Sequence, residues 1–210
     1  MKLFDRFDKV YCINLDRRPD RMKHFEGQVK KYGLGEFERF SAYDGKKLNI
    51  KDHSYNMSIG NLGLVLSNLE ILNICKNKKY NNVLIIEDDC LFTDEVLKIE
   101  EYFNLLPSDW DMLYMGGNHN THAGSNPPIK INEKVSKLTN TYSTHFVGIN
   151  GKIFDELIFS LSLKNQPIDV TYAIFQKNKN VYSFYPAIAN QLVDFSDIEN
   201  KITDYNWLIK

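Results

Sequence analysis

The chain has 210 residues, with 26 Lys plus Arg against 27 Asp plus Glu and a formal net charge of −1. Hydrophobic residues make up 43% and charged residues 25%, the balance of an ordinary globular chain and not of a disordered one. Near neutrality argues against a surface that grips nucleic acid throughout, and apolar runs such as 83–86 are too short to span a bilayer.

Residues 9–15 are an almost unbroken β-favouring run and predict a buried strand. Asp16 can cap the next helix and Pro19 suits its first turn. Met22, Phe25 and Val29 give that helix an apolar stripe ending near Gly33. A short strand over 37–42 leads to the turn signal Asp44-Gly45, and 46–59 read as a polar surface excursion. From Asn61 to about Asn77, Leu62, Val65, Leu66, Leu69, Leu72 and Ile74 predict a well-buried helix. A second buried strand over 82–87 runs straight into three acids. Thr93 can cap a helix over 94–105, a third strand over 111–115 is closed by Gly116-Gly117, and 118–130 read as a loop. Strands at 134–139, 144–149 and 181–185 and helices at 151–161 and 168–178 follow. Strand and helix alternate in the first half, which predicts an α/β fold with a parallel sheet and right-handed crossovers. No linker or repeat interrupts the pattern, so one domain over 1–210 is expected.

Three widely spaced cysteines, Cys12, Cys75 and Cys90, offer neither a disulfide framework nor a zinc knuckle and read as core thiols. The charged N-terminus lacks the apolar run of a secretory signal, so the expected location is cytoplasmic.

The chemistry concentrates at Glu87-Asp88-Asp89, directly after Leu84-Ile85-Ile86. In open α/β sheets ligands bind beyond the carboxyl ends of the strands. Crowded carboxylates there must raise their pKa values or take a cation, and hard oxygen donors select Mg²⁺ or Mn²⁺ bridging to substrate phosphates. A helix N-terminal acid cluster is the plain alternative. A second feature is Asn14-Leu15-Asp16-Arg17-Arg18-Pro19-Asp20-Arg21. Its arginines could hold phosphate, or simply pair with the neighbouring Asp side chains at a solvated helix start. Asp169 in Pro167-Ile168-Asp169 reads as an N-cap unless it faces a pocket. Gly60-Asn61-Leu62-Gly63 precedes the long helix, and the spacing of His119 and His122 could chelate a metal, though in a polar loop without a rigid frame.

Taken in order, several stretches resemble glycosyltransferase family 25, the lipopolysaccharide-type and procollagen galactosyltransferase group. They are 11–21, Ser41-Ala42-Tyr43-Asp44-Gly45, 60–67, 83–89, 110–116, Pro167-Ile168-Asp169, Tyr185-Pro186 and Ser196-Asp197-Ile198. The resemblance implies a GT-A-type nucleotide-binding sandwich with a mainly parallel sheet, 1–117 as its nucleotide-sugar half and 118–210 as its acceptor side. It implies a Mn²⁺- or Mg²⁺-dependent transfer of galactose or glucose from a UDP-sugar to a hydroxyl acceptor, a glycan or a hydroxylysine, with inversion. Under it Asp89 is the principal metal ligand, Asp88 serves ribose or metal, and Glu87 supports them. Asn14, Leu15, Arg17, Arg18, Asp44 and Ser67 line the donor end, and Asp169 is the base that deprotonates the acceptor. A third metal contact falls to His145, Gln191 or Asp197. The chain departs from the pattern where family members commonly carry His at 68 and Cys at 64, here Asn68 and Leu64, and where Ala187-Ile188-Ala189 lacks a late His. Those departures keep open a non-catalytic sugar-nucleotide-binding or scaffold member, and clustered acids also suit a metal-dependent phosphohydrolase. The loop at 118–130 would lie on the acceptor side and close when donor binds.

Overall fold

The computed structural model describes residues 1–48, 57–119 and 127–204. The first strand, β1 (Lys9–Asn14), is followed by α1 (Pro19–Tyr32), which begins on its proline and stops where Gly33 takes the left-handed conformation, φ 61°. Then come β2 (Glu38–Ser41), a 3₁₀ turn at Gly45–Lys47 and α2 (Ile59–Lys78). This long helix starts two residues before the expected Asn61, because Ser58 caps it by accepting a hydrogen bond from the Asn61 N–H. β3 (Asn82–Glu87) carries the acids at its end.

The next stretch differs from the expectation. The chain forms a three-residue strand, β4 (Cys90–Phe92), then a 3₁₀ segment over Asp94–Lys98, and only afterwards α3 (Ile99–Leu105). Thr93 makes no cap; its hydroxyl donates to the carbonyl of Ala187. The rest is β5 (Met112–Tyr114), β6 (Ile129–Lys130), β7 (Val135–Lys137), β8 (Phe146–Asn150), α4 (Phe154–Ser162), α5 (Ile168–Phe175), β9 (Val181–Phe184), β10 (Ala189–Gln191), β11 (Asp194–Ser196) and β12 (Lys201–Thr203). β6 occupies the end of the expected 118–130 loop, whose residues 120–126, His122 among them, lie outside the described residues, as do 49–56 of the expected excursion.

An eight-stranded sheet of order β2-β1-β3-β8-β5-β9-β7-β6 forms the centre. β1 pairs in parallel with β2 and β3, and β5 with β9, whereas β8 runs antiparallel between β3 and β5 and β7 antiparallel beside β9. The expected α/β fold with a mainly parallel sheet is therefore present, with β8 and β7 reversed. Adjacent residues of the inner strands enter opposite layers, as the pleat requires. Val10, Cys12, Leu84 and Ile86 pack with Met22 and Phe25 of α1 and Tyr102 of α3. Tyr11, Ile13, Val83 and Ile85 pack with Val65 and Leu72 of α2, Leu157 of α4 and Tyr172 of α5. Both faces of β1 and β3 are covered, which is why their sequences read as continuous apolar runs. The three cysteines are free and buried, as expected. Among the described residues no helix is long and apolar enough to cross a membrane.

Two glycines lock α2 against the turn after β2. A Cβ at Gly63 would stand 2.3 Å from the Tyr43 carbonyl oxygen, and one at Gly45 would stand 2.1 Å from that of Ile59. Gly63→Ala would gain about 1 kcal/mol of helix propensity, but backbone cannot retreat like a side chain, and overpacking of this kind costs about 1–3 kcal/mol. The clash wins, so the variant is expected to melt several degrees below wild type in a thermal denaturation scan. An unchanged or raised melting temperature would contradict this packing.

Candidate active site

Parallel pairing sets Ile13 opposite Glu87, so the residues just past β1 and β3 emerge side by side. Asn14 sits at the end of β1, buried, and its amide donates to Asp88 Oδ2 at 2.6 Å and to the Arg18 carbonyl at 2.9 Å. From the antiparallel neighbour β8, the preceding Thr144 donates to Glu87 Oε1 at 2.9 Å, and the Glu87 N–H donates to the His145 carbonyl at 2.9 Å. The acids are thereby fixed at the carboxyl end of an inner strand. Arg21 of α1 reaches over them, with Nη1 3.2 Å from Asp88 Oδ1 and 3.5 Å from Asp89 Oδ2.

Three carboxylates against one nearby guanidinium leave the cluster short of positive charge. Desolvation, reinforced by Asp89, pushes Glu87 up to about 8, and desolvation and Asp89 push Asp88 up to about 6 despite Asn14 and Arg21. Desolvation also raises Asp89, against the pull of Arg21 and the Gln191 amide. Asp89 Oδ1 is shielded from solvent and has no hydrogen-bond partner.

The acids line a cavity of about 500 Å³. Its walls come from both halves of the chain: Ile13, Leu15 and Arg21, then Tyr43, Gly60, Asn61 and Leu64, then Thr144, Asp169, Gln191, Ser196 and Asp197. Asp169 lies in the first turn of α5, and Pro167, not Asp169, holds the N-cap position. Its Oδ1 accepts the Val170 N–H at 2.8 Å, and burial raises its pKa. Leu15, Glu87, Asp88, Asp89 and Asp169 of the sequence-predicted residues thus meet at one cavity.

Others are used differently. Ser67 is fully buried in α2, accepting the Tyr43 N–H at 3.0 Å and donating to the Gly63 carbonyl at 2.8 Å, so its hydroxyl joins α2 to the turn holding Tyr43 instead of lining the cavity. Arg17 binds Asp44 at 3.0 Å and also Asp197. Arg18 binds Asp20, Asp194 and Asp197 at 2.9, 2.6 and 2.9 Å. These arginines and Asp44 fasten the β11–β12 hairpin to the loop after β1, and none of the three is a cavity-lining residue. Asp194 feels burial upward, yet its hydrogen bonds, from Arg18 first, hold it down at about 2.

Of the third-ligand candidates, Gln191 and Asp197 line the cavity and His145 does not. His145 is buried behind Gly116, and desolvation lowers its pKa to about 4 against the upward pull of the Ala189 backbone. His119 is held between the hydroxyls of Thr141 and Ser183 at 2.9 and 3.3 Å. Asn68 donates back to the Leu64 carbonyl at 3.0 Å and does not line the cavity. Of the arginines in the Asn14–Arg21 stretch, Arg21 is the one that lines the cavity, although the expected donor-end arginines were Arg17 and Arg18; Thr144 carries no sequence signal.

Among the described residues no group of three His, Cys, Asp or Glu side chains converges as a complete cage. A hard divalent cation typically takes one or two carboxylates and completes its shell with water and substrate phosphate. The unpartnered Asp89 Oδ1 beside Asp88 fits that mode.

A profile of glycosyltransferase family 25 (LPS biosynthesis protein) matches residues 7–178, most of the chain. A glycosyltransferase 25 family member of Drosophila melanogaster is 33% identical over 40% of this chain and 16% of its own. Procollagen galactosyltransferase 1 of Danio rerio is 30% identical over 52% of this chain and 21% of its own. In both cases the match spans about a fifth or less of the relative's length. A crystal structure of a glycosyltransferase involved in the glycosylation of the major capsid of PBCV-1 aligns at a TM-score of 0.45 and 10% identity, over 75% of this chain and 67% of that one. The chain belongs to glycosyltransferase family 25, and its sandwich of helices on a mainly parallel sheet is consistent with the GT-A type.

The Glu87 carboxyl gives a pH test without added cation. Its folded pKa of about 8 exceeds the ordinary 4.5, so the folded state binds more protons in between. Stability present below about 4.5 is lost as pH rises through about 8. Glu87→Gln mimics the protonated form and is expected to gain stability relative to wild type across that window, by roughly 1–3 kcal/mol. Denaturant melts of both proteins at its two ends check this; a difference that did not change with pH would contradict the raised pKa.

Proposed function

We propose that this chain transfers a hexose, galactose or glucose, from a UDP-sugar to a hydroxyl of a glycan or hydroxylysine-type acceptor, with Mn²⁺ or Mg²⁺ and with inversion. The observation that carries this reading is the single cavity shared by an acid cluster with an unpartnered oxygen and a separate carboxylate, Asp169. Family membership supports sugar transfer, and the galactosyltransferase name of the Danio rerio relative supports the hexose.

Asp89 and Asp88 would hold the cation, which when bound offsets charge developing on the leaving diphosphate. Asn14 and Thr144 hold Asp88 and Glu87 in place by donating to one carboxylate oxygen of each. Leu15, Tyr43 and Leu64 supply apolar wall for the nucleotide or sugar and keep bulk water from the reacting carbon. Asp169 takes the proton of the acceptor hydroxyl as that oxygen attacks. Its Oδ1 is held by the Val170 N–H, which orients the carboxylate, and the pKa raised by burial makes it a stronger base than an exposed carboxylate.

UDP with Mn²⁺ is expected to raise the melting temperature, since a ligand selective for the native state stabilises it. Asp89→Ala removes that shift. Asp169→Asn keeps it and lowers transfer by about 100-fold or more. Differential scanning fluorimetry with a UDP-sugar turnover assay checks all three. No shift at millimolar UDP and Mn²⁺ would contradict the donor reading, and full turnover by Asp169→Asn would contradict the base.

A further inference from the structure

Arg21 is a buried arginine whose donors are divided between two elements. On one side Nε donates to Asp194 Oδ2 at 3.1 Å and Nη2 to the Phe195 carbonyl at 3.0 Å, both on β11. On the other side Nη1 alone is shared by Asp88 Oδ1 at 3.2 Å and Asp89 Oδ2 at 3.5 Å. The guanidinium plane is therefore pinned from β11, while its one remaining arm rests on the carboxylates that face the cavity. A divalent cation entering at Asp88 and Asp89 competes with that arm, because it takes the same oxygens and repels the guanidinium.

We propose that Arg21 is the diphosphate-positioning residue of this site: its Nη1 stands in for the cation while the site is empty and passes to a phosphate oxygen of the donor when the cation arrives. This rests on the reading that the acid cluster receives a cation. The chemistry is that of a guanidinium on a nucleoside diphosphate, which Arg recognises better than Lys because its other nitrogens can stay anchored. Arg17 and Arg18 do not compete for the role, being bound to Asp44, Asp20, Asp194 and Asp197. No bond is made or broken in this exchange; only hydrogen-bond partners change.

Removing the charge of Arg21 should thus act on the two ligands with opposite sign, which loss of a merely structural contact would not do. In the folded protein, Arg21→Gln is expected to bind Mn²⁺ alone about tenfold more tightly than wild type and UDP at saturating Mn²⁺ about tenfold more weakly. Arg21→Lys keeps the charge but cannot hold Asp194 and the Phe195 carbonyl while reaching phosphate. It should bind Mn²⁺ within about twofold of wild type and UDP about tenfold more weakly. Mn²⁺ affinity is read by electron paramagnetic resonance without nucleotide, UDP affinity by calorimetry, and Asp89→Asn serves as the cation control. Parallel weakening of both ligands in Arg21→Gln, or unchanged UDP affinity in Arg21→Lys, would overturn the inference while leaving the cation reading intact. Mn²⁺ binding that survives in Asp89→Asn, or is absent from wild type, would overturn the cation reading and the inference with it.

Discussion

Three carboxylates leave the end of a strand that is apolar along its length and covered on both faces, and most of what surrounds them balances their charge. Asn14 comes from the parallel neighbour, Thr144 from the approach to the antiparallel one, and Arg21 from the helix that must begin almost at once after β1. The balance is incomplete. Glu87 and Asp88 are driven toward their protonated forms by desolvation and by Asp89, and one oxygen of Asp89 is left without a partner. A fold that spends its strongest core strand to present an under-neutralised anion is poised to receive positive charge.

The walls of the cavity have a different basis, in backbone contact. Gly45 and Gly63 let the turn after β2 and helix α2 approach more closely than any side chain permits, and the Ser67 hydroxyl ties the Tyr43 N–H into the same junction. That junction places Tyr43, Gly60, Asn61 and Leu64 opposite the acids. The third wall is the β11–β12 hairpin, tied across by ion pairs from Arg17, Arg18 and Arg21 to Asp194 and Asp197. Partly exposed pairs of this kind matter more for register than for net stability, since solvent screening and desolvation offset much of their attraction. Their use is to set where the wall stands.

Strands with a continuous apolar run, β1 and β3, and helices with a long stripe, α1 and α2, were legible because burial on a fixed period writes itself into composition. The cluster 87–89 was legible for the converse reason, since charge rarely follows such a strand. β4, β10, β11 and β12 were not, because each is only three residues long and β4 and β10 find each other about a hundred residues apart. Thr93 had the right chemistry for a cap, but the Ala187 carbonyl took its hydroxyl. The arginines of 14–21 announced anion binding without saying which anion: Arg17 and Arg18 meet the chain's own aspartates, while Arg21 reaches the cavity. Ser67 was expected at the donor end, but its hydroxyl is taken up in joining α2 to the turn that holds Tyr43.

The uncompensated oxygen of Asp89 would seat the proposed divalent cation, shared with a nucleoside diphosphate. A crystal structure of the chain grown with manganese and UDP tests it directly through the anomalous signal of the metal. The expected result is one strong peak at coordination distance from Asp89 Oδ1 and from the diphosphate. UDP bound in the cavity with no metal at Asp89, or manganese seated only on other side chains, would contradict it.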